Sequence, residues 1–175
     1  TLLAGVLPTA LFAAEPARES LHDLSGMAAF GTNTPERQSF LIARDLKAYS
    51  ATARLQVLTI DESKGQSVAA VAVSPEQWGQ WLPNDLESAD PVPGTDNEFV
   101  IVESGFRKEK YGRVFRIAIH QTDDKWTGTV LQICRLPRTD RWFNIEGAGC
   151  FRWQEQNWLL LGDRATWSVS SKENT

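Results

Sequence analysis

Hydrophobic and polar positions alternate over short stretches of this chain, most densely after residue 53. Leu55, Val57 and Thr59 interleave with Gln56, Leu58 and Ile60, and a second apolar run covers residues 68–73. Between them lies the acidic, glycine-containing segment Asp61-Glu62-Ser63-Lys64-Gly65, so the pair predicts a β-hairpin. Ser74-Pro75-Glu76-Gln77 has capping-box spacing with proline at the first helical position. It predicts a short helix that carries Trp78 and Trp81 on one face and ends at Pro83. Residues 84–97, rich in Pro, Asp and Gly, predict a loop.

Beyond that loop the pattern predicts strands over 99–104, 111–120, 126–136, 150–154, 158–161 and 165–170. Asp123-Asp124 separates two alternating runs, and pairing across it sets Ile117 opposite Val130. Gly162-Asp163 suits a two-residue hairpin loop. Upstream, Thr34 before Pro35 predicts a helix over 34–49. Residues 15–33 show no sustained period and read as a flexible N-terminal arm. The expected fold is mainly β, of α+β type: an antiparallel meander forming a sandwich or strongly curved sheet, with one or two short helices. Residues 34–175 make its single domain.

Residues 1–14 carry no charge and turn polar at Glu15, the pattern of a signal-peptide remnant that ends near Ala13 and Ala14. The run is too short to span a bilayer, so no integral membrane segment is expected in the mature chain. With this opening, the even pair Cys134 and Cys150 predicts one disulfide and a periplasmic or extracellular protein. A net charge of −4 without a basic stripe argues against nucleic-acid binding.

Catalytic residue types are scarce. The histidines are His22, in the arm, and His120, at a strand end, and no nucleophile elbow marks a serine. Glu103, Glu109, Glu146 and Asp163 offer carboxylate pairs of the kind any acidic β protein contains. Asp90, Asp96, Asn97 and Glu98 crowd one loop with hard oxygen donors but lack EF-hand spacing. No catalytic residue, metal ligand or cofactor is assigned. The segment between the cysteines holds Arg135, Arg138, Arg141 and Trp142, residue types that dominate binding hot spots, and a covalent tie would lower its ordering cost.

The function expected is that of an exported small binding protein with a macromolecular partner, for instance an inhibitor or immunity protein of a secreted or cell-wall enzyme. One alternative is a barrel or sandwich that holds an apolar or sugar ligand in an aromatic-lined cavity. Another is a hydrolase with an unmarked carboxylate site, whose two carboxylates would have pKa values pushed apart.

Overall fold

The computed structural model describes residues 21, 23–31, 33–47, 52–104, 112–136 and 144–164. Ten strands fill most of them: β1 (Leu24–Phe30), β2 (Arg37–Arg44), β3 (Leu55–Asp61), β4 (Gly65–Ala72), β5 (Leu86–Pro91), β6 (Glu98–Glu103), β7 (Arg113–Thr122), β8 (Lys125–Arg135), β9 (Ile145–Trp153) and β10 (Gln156–Asp163). The first eight form one curved sheet in the order β1-β2-β3-β4-β8-β7-β6-β5. It consists of two antiparallel meanders, β1 to β4 and β5 to β8, joined by a short parallel seam at Val71↔Trp126 and Ala72↔Thr127. At the other margin β1 lies against β5, so the sheet nearly closes on itself. The mainly β, strongly curved sheet read from the alternation is therefore the fold of the protein.

The enclosed side is filled. Leu41, Leu55, Val57, Phe99, Ile101, Phe115 and Ile117 converge there, all essentially without solvent contact. Edge-to-face aromatic contacts lock the packing, with Trp78 and Phe115 ring centroids 5.1 Å apart and Phe30 and Phe99 5.4 Å apart. A buried ion pair ties the second meander to the segment that connects it to the first. Arg113 donates to Glu103 at 2.8 and 2.9 Å, and to the carbonyls of Trp78 and Trp81 at 2.9 Å each. Glu103 in turn accepts the Asn84 backbone N–H at 2.7 Å, so most of the pair's bonding capacity is used inside the fold.

Several sequence expectations are realised. The β3–β4 hairpin turns through residues 62–64, and the β7–β8 hairpin turns at Asp123 and Asp124 with φ of 47° and 63°. Ile117 faces Val130 as the alternation required.

Others are corrected. The helix expected over 34–49 is instead strand β2 after a turn. The cap-like Thr34 hydroxyl does accept the Arg37 N–H, at 3.2 Å, but within the β1–β2 connection. Beyond it, pairing with β1 and β3 satisfies the backbone of Phe40, Leu41 and Ile42. Residues 24–30, assigned to a flexible arm, form β1, whose Ala28 and Phe30 pack on the core.

The predicted loop over 84–97 contains β5, an edge strand that tolerates Pro91 at its end. The capping box gives only a 3-10 turn over Pro75–Trp78, and Ser74 makes no side-chain cap bond. The Gln77 side chain instead accepts the Val130 N–H at 2.9 Å, which satisfies a β8 group beyond the parallel seam. Gly162-Asp163 lies within β10, and the β9–β10 hairpin turns at Gln154 and Glu155, with φ of 49° and 62°. The strand expected over 165–170 lies outside the described residues.

Candidate functional site

β9 and β10 form a separate two-stranded sheet that lies over β5 and β6. Cross-strand partners point to the same side of a sheet, so the pairings Phe151↔Trp158, Trp153↔Gln156 and Gly149↔Leu160 define one face, and Cys150↔Leu159 and Ala148↔Leu161 define the other. The second face docks. Ile145, Ala148 and Leu161 of the hairpin pack on Val102 and Val114 of the large sheet. The Ser88 hydroxyl accepts the Ala148 N–H at 3.0 Å, and the Asn157 amide donates to the Pro93 carbonyl at 3.2 Å.

The first face is turned to solvent. Phe151 is 46% exposed, Trp153 56%, Trp158 46% and Leu160 67%. The two indoles stand 6.1 Å apart and tilted by 58°. Toward the base of the hairpin the same face continues as bare backbone at Gly147, Gly149 and Gly162. Among the described residues, a Cβ added at Gly147 or Gly149 would meet nothing within 4 Å. Four large apolar side chains beside an uncovered glycine lane make a contiguous apolar surface, the kind that marks an interaction site on a folded domain.

Charged groups collect elsewhere, where β1, β2, β5 and β9 meet at one end of the sheet. Asp45, Asp85 and Glu87 each bring a carboxylate oxygen within 4.8 Å of the others. The Lys47 ammonium sits among them, bonded to Asp85 and 3.4 Å from Asp45. The hydrogen bond that Asp45 shares with Asp85 holds its pKa above the ordinary carboxylate value, with burial and the Asp85 charge adding to the effect. Burial, and then the charges of Asp45, Glu146 and Asp85, push Glu87 up to about 7. Asp45 and Glu87 thus shift in the same direction.

The predicted bridge between Cys134 and Cys150 is not formed; both thiols are free. Cys150 lies on β9, with its N–H bonded to Asp90 of β5, whereas Cys134 lies on β8. Cys134 thus belongs to the eight-stranded sheet and Cys150 to the separate β9–β10 sheet. Burial, with the nearby Asp90 charge, raises the Cys150 thiol to about 11.

Arg135 is exposed at the end of β8, while Arg138, Arg141 and Trp142 lie outside the described residues. His120 is exposed on β7, where its Nδ1 lies 3.2 Å from the Asn97 amide. Sequence reading missed the hairpin face. The available signal was the phase of Phe151, Trp153, Trp158 and Leu160 around the turn, two residues apart on each strand.

A cleft of about 450 Å³ opens beside the start of β3 and the end of β4, lined by Arg54, Leu55, Val71, Val73, Trp78 and Leu82 among others. Among the described residues Trp78 is its one aromatic wall, and that side chain is already packed against Phe115. Among the described residues no helix is long and apolar enough to cross a membrane. No protein-family model, curated protein or solved structure matches the chain.

Proposed function

We propose that this chain is an exported small binding protein that docks a macromolecular partner, for instance as an inhibitor or immunity protein of a secreted or cell-wall enzyme, through the outward face of its β9–β10 hairpin. One observation carries the reading: the hairpin turns Phe151, Trp153, Trp158 and Leu160 outward while Phe99 and Phe115 of the large sheet are buried in its core. Exposed tryptophans on a preformed strand pair are binding anchors with little left to order. The Arg- and Trp-bearing segment 137–143 leads directly into β9, so the expected partner loop and the hairpin adjoin in the chain. Export belongs to this reading and rests on the uncharged residues 1–14, since the cysteines supply no bridge within the chain.

Immobilised protein should retain a partner from an envelope extract, and Trp153→Ser with Trp158→Ser should weaken that capture at least tenfold. The unfolding midpoint of the double variant should stay within a few degrees of the parent. Full capture by the variant refutes the surface. The hydrolase reading has a single observation in its favour, the elevation of Glu87 to about 7 beside Asp45 and Glu146.

A further inference from the structure

The hairpin face differs along its length in a way that identifies an occupant. Near the turn it protrudes with Phe151, Trp153 and Trp158; toward the base it is recessed along Gly147, Gly149 and Gly162, with Leu160 standing opposite Gly149. We propose, resting on the reading of this face as a binding surface, that two copies of this chain stack their β9–β10 hairpins face to face about a two-fold axis. The pairing keeps the site covered until a tighter partner displaces the second copy.

Geometry supplies the first argument. Gly149 and Trp153 are four residues apart on one strand, roughly 14 Å at ~3.4 Å per residue. Reversing a second hairpin over the first therefore lays Trp153 and Phe151 of each copy on Gly147 and Gly149 of the other and sets Trp158 against Leu160. Such an isologous contact is complete at two copies and does not propagate. A glycan stacked on Trp153 and Trp158 would leave the lane unused, whereas a second hairpin fills both halves.

Charge supplies the second argument. No residue on the outward face ionises, while the chain as a whole carries a net −4 that disfavours contact through its other surfaces. Area supplies the third. Four large side chains about half exposed offer about 100 Å² each, or about 400 Å² per copy, against about 800 Å² for a standard interface. The dimer is accordingly weak and concentration-dependent, which suits a cover that a partner can remove.

Sedimentation velocity on the full chain, from low-micromolar to several-hundred-micromolar concentration, tests the pairing. The parent should move from monomer to dimer across that range. Gly149→Lys should displace the midpoint upward at least tenfold with an unchanged unfolding temperature, because a Cβ there meets nothing in the monomer. A parent that stays monomeric throughout overturns the proposal, as does a Gly149→Lys variant that dimerises like the parent. If the monomer instead shows tryptophan quenching by soluble cell-wall oligosaccharide, the face belongs to a glycan and the proposal is overturned. A monomeric parent that still captures a protein through Trp158 sinks self-pairing alone. A dimer that captures nothing sinks the partner reading alone.

Discussion

The large curved sheet and the β9–β10 hairpin are built from the same kind of strand, and they place Phe99 and Phe115 on the one hand and Trp153 and Trp158 on the other in opposite surroundings. In the sheet, Phe99 and Phe115 have no solvent contact, and Trp78 of the 3-10 turn packed against them is only 3% exposed. In the hairpin, Trp153 is more than half exposed although it belongs to an equally regular antiparallel pair. Strand chemistry alone does not decide whether an aromatic becomes core or surface; the decision falls to what lies across from it. The sheet curls until β1 meets β5 and supplies its own opposite wall. A two-stranded hairpin has one face to dock, and it docks the face bearing Ala148 and Leu161.

That contrast can be broken most sharply by paired truncations. Phe115→Ala should cost about 3–5 kcal/mol of stability through the cavity it leaves beside Trp78. Trp158→Ala, which removes a comparable volume from solvent, should cost less than about 1 kcal/mol. Urea unfolding of the two variants measures the difference, and equal losses would mean that the hairpin face is structurally buried.

A single methyl group gives the next test. At Gly26 an added Cβ would lie 2.6 Å from the Ala89 nitrogen and 2.7 Å from Ser88 backbone atoms. Gly26→Ala should therefore pry β1 from β5 at about 1–3 kcal/mol. The same change at Gly149 meets open space and should be neutral or slightly stabilising. Thermal melts of the two variants report whether the seam is as tight as the lane is open.

The smallest effect concerns the acidic end where the two regions touch. Glu87 has a folded-state value near 7, above its ordinary value of 4.5. Its protonated form is thus favoured by folding, so this contribution is complete below pH 4.5 and is lost as pH rises through 7. Screening by solvent reduces the effect of this half-buried group to about 1 kcal/mol. Glu87→Gln should raise stability at pH 8 by about that amount and flatten the pH dependence between 4.5 and 7. An unchanged profile would remove Glu87 from the list of perturbed groups, and with it the one support for a hydrolytic site.

Legibility in the sequence followed the range of the interactions involved. The β3–β4 and β7–β8 hairpins could be read because alternation and turn residues act over a few positions, and even the Ile117↔Val130 register followed from the turn at Asp123-Asp124. The segment from Thr34 to Tyr49 misled because Thr-Pro-Glu is equally good local chemistry for a helix start and a turn. The hydrogen bonds that β1 and β3 offer to Arg37–Arg44 decided between them. Cys134 and Cys150 misled for a related reason. A separation of fifteen residues makes a disulfide loop easy to close in a free chain, whereas the fold places the two strands apart.

Composition and alternation by themselves determined that this would be a strand-rich chain with tight turns, acidic overall. They also fixed which residues share a side within each local strand pair. The tertiary structure decided which of those sides faces another layer. Burial depends on a second surface, brought by curvature and by strands remote in the chain, and no local pattern encodes whether that surface arrives. For Phe115 it does; for Trp153 and Trp158 the chain leaves the place open.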